Sequence, residues 1–125
     1  MIGAITPGEE QLIALVAEAP RGPKRDGLYA LWLTLRAAEG LLPPHPVSLK
    51  NHRRRLQALE TRLATLALPA PLKRALTAAR HHLELGTPQA AALVLHQLVA
   101  PAREVLGDPA GEAVAGAARA ARVHL

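Results

Sequence analysis

Residues 48–85 read SLKNHRRRLQALETRLATLALPAPLKRALTAARHHLEL, and this stretch decides the fold. Leu49, Leu56, Leu59, Leu63 and Leu66 recur at helical spacing, with His52 inside the same stripe. Projected at about 100° per residue, they form one apolar face. Beyond the break Pro69-Ala70-Pro71, a second stripe holds Leu72, Ala75, Leu76, Ala79 and Leu83. Two such helices joined by the short connection Leu68–Ala70 are expected to fold back on each other as an antiparallel hairpin.

The bias that makes this pair helical runs through the whole chain. Its 125 residues are 50% hydrophobic, with 26 Ala and 23 Leu but one Trp, one Tyr, no Phe and no Cys. Helix formers abound and strand formers are scarce. The expectation is an all-α fold: a single compact domain of about six helices over 1–125, a helical bundle with a central antiparallel helical hairpin. Without Cys, disulfide scaffolds, thiolate zinc sites and cysteine nucleophiles are excluded.

Prolines and glycines set the helix boundaries. Thr6-Pro7, Thr87-Pro88 and Asp108-Pro109 each place a capping residue before Pro at the first helical position. Glu9 stands three residues after Thr6, the spacing of a capping box. With Asp26, Ser48 and the proline break, helices are expected over 7–19, 26–41, 48–67, 71–85, 88–106 and 109–123. Gly86 and Gly107 fall where helices end in a left-handed residue. Pro20–Arg25 and Pro43-Pro44-His45-Pro46 read as linkers, the second of them extended. The fifth helix has a wide apolar face, including Val94, Leu95 and Leu98, and is the expected centre of the bundle. The last helix carries a stripe of Ala110, Ala113, Val114, Ala117 and Ala121, small enough for close approach to its own core or to a second subunit. Gly86 and Ala91 resemble the positions of the inter-helix Gly and early Ala in tetratricopeptide hairpins. The aromatic positions of that pattern hold Ala or His here and no second copy follows, so the chain is not assigned to that family.

Charge is concentrated on the hairpin. Between residues 48 and 85, Lys50, Arg53, Arg54, Arg55, Arg62, Lys73, Arg74 and Arg80 stand against Glu60 and Glu84 alone, a net +6 in a chain whose total is +5. Lys50, Arg53, Arg54 and Arg55 crowd the N-terminal half of their helix, where the dipole disfavours a cation by about 0.3–1 kcal/mol. Lys50, Arg54 and Lys73 project outward, with Arg53, Arg55, Arg62 and Arg80 at the flanks. Cations placed against the folding preference point to an anionic partner. The competing reading is a solvated face partly neutralised by Glu9, Glu10 and Glu18 of the first helix. A second candidate surface lies on the second helix. There Leu28, Leu31, Trp32, Leu35 and Ala38 face the core, while Tyr29 and Leu33 fall on another side with Arg36, the composition of an interface hot spot.

Other chemistries find few residues to work with. His81 and His82 are adjacent on a helix and diverge, so they do not chelate one ion, and no metal site or cofactor is expected. Ser48, the one serine, reads as a cap, and no Gly-rich phosphate loop occurs. No carboxylate pair shares an apolar face, so enzymatic activity is not expected. Nucleic-acid binding lacks aromatics on the hairpin for base stacking and lacks a helix-turn-helix. Met1–Glu10 shows no secretory leader, and polar residues and breakers interrupt the uncharged stretch Leu85–Ala102, so no membrane span is expected and the setting reads as cytoplasmic. The functional expectation is a non-enzymatic helical interaction module, an accessory or scaffold subunit that binds a protein partner, acidic where it meets the hairpin, and can self-associate as a homo-oligomer. The alternative is a basic helical small subunit that contacts the nucleic-acid backbone without sequence specificity.

Overall fold

The computed structural model describes residues 6–125, so Met1–Ile5, half of the segment read for a leader, lies outside the described residues. Six α-helices follow one another: α1 (Pro7–Glu18), α2 (Pro23–Glu39), α3 (Leu49–Thr65), α4 (Ala70–Leu83), α5 (Pro88–Leu106) and α6 (Asp108–Ala121), with a final 3₁₀ turn at Arg122–His124. No strand occurs among the described residues. No helix among them is long and apolar enough to cross a membrane.

Three of the expected caps form. The hydroxyl oxygens of Thr6, Ser48 and Thr87 accept from the backbone N–H groups of Glu9 (3.2 Å), Asn51 (3.2 Å) and Ala90 (3.1 Å). Each satisfies a donor that the first turn of a helix leaves without a partner. Gly86, at φ 68°, provides the left-handed residue between α4 and α5.

Elsewhere the boundaries move for physical reasons. Helix α2 begins at Pro23 rather than near Asp26, because Gly22 (φ 152°) turns the chain and Pro23 takes the N1 position, where its missing N–H costs nothing. Asp26 lies within the first turn, and the linker shortens from the expected Pro20–Arg25. Asp108 does not cap α6. Gly107 (φ 99°) holds the cap position, and the Asp108 carboxylate lies 3.9 Å from Arg103 Nε. The proline run after α2 is a turn, not an extended linker, with a cis Pro43-Pro44 bond and Val47 N–H donating to the Gly40 carbonyl at 2.8 Å.

Helices α3 and α4 form the expected antiparallel hairpin. His52, near the start of α3, is bonded to Leu83 at the end of α4. Leu56, Leu59 and Leu63 are buried with Leu72, Leu76, Ala79 and Leu83. Leu49 departs from its stripe: it is the first residue of α3 and is 60% exposed at the edge of the hairpin.

The centre of the bundle is α2 rather than α5 alone. Helix α2 packs against α1, α3, α4, α5 and α6, whereas α5 lies against α2, α4 and α6. Leu28, Leu31 and Leu35 of α2 are fully buried, each contributing about 1.5–3 kcal/mol. Buried Thr34 satisfies its hydroxyl by donating to the Ala30 carbonyl at 2.8 Å. The small-residue stripe of α6 is buried within its own chain, against α5 and α1. A Cβ on Gly111 would lie 2.7 Å from Arg103 Cβ, and one on Gly8 would lie 3.0 Å from the Ala113 carbonyl oxygen.

Candidate anion-binding face

The hairpin carries its charge outward. Lys50, Arg53, Arg54, Arg62, Lys73 and Arg74 are exposed, and Arg55 and Arg80 are partly covered. Among the described residues, Arg80 alone of the eight forms ion pairs, with Glu60 (3.1 Å) and Glu84. It ties the two helices together. Of the acidic residues of α1, which packs on α2 and α6, Glu9 partly offsets the charge of Arg55, and none forms an ion pair with the hairpin among the described residues. Glu9 instead accepts from Trp32 Nε1 at 3.1 Å and lies 3.9 Å from Arg36 Nε. Its side chain is thus drawn to α2 rather than back to the cap, and the capping box stays half-formed.

Where α2 crosses α3, the two candidate surfaces meet. Leu33 and Arg36 of α2 line a groove of about 220 Å³ with Arg54, Arg55 and Ala58 of α3. Leu33 is 8% exposed, a core residue that reaches the groove only as its floor. Arg55 Nη1 donates at 3.1 Å to the Arg36 carbonyl in the last turn of α2, which also accepts from the Gly40 N–H at 3.0 Å. Burial first, and then the charge of Arg36, push the Arg55 guanidinium below its ordinary pKa, while Glu9 pulls it back. Desolvation and like charge both disfavour the cation, and a nearby carboxylate favours it.

Aromatic rings hold Arg36 and one further arginine, Arg62, beside this groove. The Arg36 guanidinium lies 5.9 Å from the Trp32 ring centroid and that of Arg62 lies 5.4 Å from the Tyr29 centroid. The two rings are themselves in contact, with centroids 5.6 Å apart and planes tilted by 47°. Tyr29, Leu33 and Arg36 therefore do not form a separate free patch. They are one wall of a surface that continues onto α3.

At the opposite side of α3, Leu49, His52, Arg53, Leu56, Gln57, Arg80 and Glu84 line a second hollow of about 340 Å³. His52 Nδ1 and Arg80 Nε are buried there without hydrogen-bond partners. His81 Nδ1 lies 4.0 Å from Glu84 on the exposed side of α4. Among the described residues, no three His, Asp or Glu side chains converge as a metal site would require.

Sequence reasoning missed Glu9 and Trp32 as the neighbours that hold Arg36, and Gly40 as the position that admits Arg55. One signal was present, since Arg55 stands three residues after His52 and four before Leu59, on the flank of the buried stripe. Comparison with protein-family models, with curated proteins and with solved structures gives no match.

Proposed function

We propose that the protein is a non-enzymatic helical interaction module, an accessory or scaffold subunit of the cytoplasm, whose basic α3–α4 face and α2–α3 groove bind an acidic protein partner. One observation carries this reading: seven of the eight basic side chains of the hairpin have no ion pair among the described residues. Uncompensated cations on a rigid face raise the potential on one side of the molecule and speed encounter with an opposite surface. A protein partner suits the face better than nucleic acid. The rings of Tyr29 and Trp32 are half-buried and faced by Arg62 and Arg36, so neither is free to stack on a base.

The test is fluorescence anisotropy with labelled polyglutamate and with unrelated DNA and RNA oligonucleotides, at two salt concentrations. Polyglutamate is expected to bind, more weakly in high salt, and to be lost in Arg53→Glu/Arg54→Glu/Arg55→Glu with unchanged circular dichroism. Tighter oligonucleotide binding, with a salt slope of about 0.7–0.9 per neutralised phosphate, would replace this reading with backbone contact to nucleic acid. Binding of neither at low salt overturns both. Self-association through Tyr29, Leu33 and Arg36 belongs to the same proposal, and light scattering of the native protein reads it directly.

A further inference from the structure

We propose that the groove between α2 and α3 is a built receptor for one carboxylate of an acidic peptide, with an aliphatic side chain of the same peptide resting on Leu33 and Ala58. This rests on the acidic-partner reading above and assigns where a single anionic group is received.

Two of the three guanidiniums that line the groove are positioned without an anion between them. Arg55 is held by the Arg36 carbonyl, and Arg36 by the Trp32 ring and Glu9. An arginine fixed in this way keeps most of its five donors for a ligand and loses little further rotamer freedom on binding. Arg55 is half-buried beside the like charge of Arg36, so an arriving carboxylate relieves both the desolvation and the repulsion. The bond to the Arg36 carbonyl, which the Gly40 N–H also reaches, occupies one donor of the fork and leaves the rest.

Room for this arrangement comes from Gly40. A Cβ there would lie 2.5 Å from Arg55 Nη1, so any larger residue displaces the guanidinium. Arg36, Arg55 and Glu9 together carry one net positive charge and Arg54, exposed at the rim, adds a second, so charge draws an anion to the groove without fixing its valence. The floor of Leu33 and Ala58 is apolar, which suits the methylenes of a peptide side chain better than a free inorganic ion.

The variant Gly40→Ala separates geometry from bulk charge. It keeps every charge and suits the helical backbone at that position (φ −64°, ψ −15°), and its methyl meets the flexible end of Arg55. A second variant, Arg55→Lys, keeps the charge and loses the fork. The probe is a short blocked peptide of glutamate and leucine, with its glutamine counterpart as control, followed by NMR. Saturable shifts are expected at the Arg36 and Arg55 side chains and the Leu33 methyls, with the glutamine peptide about tenfold weaker. Gly40→Ala and Arg55→Lys should each weaken the glutamate peptide about fivefold, and Arg119→Gln/Arg122→Gln, exposed at the end of α6 and outside the basic hairpin, should leave it within about twofold. Full affinity in both groove variants, shifts centred on Lys73 and Arg74, or displacement of the peptide by inorganic phosphate in preference to acetate would each overturn the receptor. Peptide binding mapped elsewhere on the basic face leaves the acidic-partner reading standing while the groove falls. Binding of neither this peptide nor polyglutamate at low salt overturns both.

Discussion

Nε2 of His52 lies 2.9 Å from the carbonyl oxygen of Leu83, and the His52 side chain is only 2% exposed. The Leu83 carbonyl also accepts from the Gly86 N–H at 3.1 Å, so His52, donating through Nε2–H, adds a second donor to the end of α4 from the neighbouring helix. The same bond fixes the antiparallel register of the hairpin, because it joins the first turn of α3 to the last residue of α4. A residue that resembled a polar interruption of a leucine stripe is thus a tie between two helix ends.

His52→Ala removes both the packing and one of the two donors to the Leu83 carbonyl. The expected cost is about 2–4 kcal/mol, and His52→Gln should recover part of it by donating from its amide. Urea unfolding followed by circular dichroism measures both. A loss below about 0.5 kcal/mol in the alanine variant would show that the bond contributes nothing net.

The leucine stripe makes a graded prediction. Leu63 and Leu98 are 6% and 2% exposed, and truncating either to Ala should cost about 2–5 kcal/mol. Leu49, at 60% exposure, should tolerate the same change within about 0.5 kcal/mol. Equal losses at Leu49 and Leu63 would contradict the observed end of the buried face.

Glu39 predicts a pH dependence of stability. Burial raises its pKa, the hydrogen bond from Thr6 Oγ1 (2.7 Å) lowers it, and the charge of Glu9 raises it again, for a net increase. With the folded-state value above the unfolded one, the native state holds the proton longer, so stability falls as pH rises between the two. Glu39→Gln keeps the acceptor for Thr6 and removes the charge. It should be more stable than the native protein at about pH 7, with the gap closing as pH falls to about 3. Parallel denaturation series at the two pH values check the sign, and a gap that widens on acidification would reverse it.

Gly111→Ala should destabilise the protein by about 1–3 kcal/mol despite the better helix propensity of alanine. The added methyl would meet Arg103 Cβ at 2.7 Å and Arg103 Cα at 3.2 Å, neither of which is the movable end of a side chain. Thermal melts compare it with Gly116→Ala, where the nearest atom is the far end of Arg119 at 3.8 Å and no loss is expected.

Much of the helical framework was legible because it depends on neighbours in sequence. Thr6, Ser48 and Thr87 cap helices through bonds that span three residues, and the leucine stripes of α3 and α4 follow a local period. Competing local signals caused the boundary errors. Pro23 after Gly22 outweighed Asp26, and Gly107 took the cap position from Asp108. The central place of α2 was hidden because its core residues are spread around much of the helix, which blurs any single stripe. The groove was least legible, since it requires Arg36 and Arg55 to meet across a helix crossing and Gly40 to leave space beneath them. No periodicity encodes that meeting.

The contact between α1 and α6 has a consequence for synthesis on the ribosome. Gly8 lies beneath Ala113, yet almost the whole chain separates them, so one side of α1 stays uncovered until α6 has been made. At translation speeds that interval is on the order of 10 s. Helices α1 and α2 can pair early through local contacts, but the bundle closes only when its last helix arrives and seats the first. Amide hydrogen exchange of α1 should therefore share the protection of α6, and a chain halted before α6 should leave α1 open to protease.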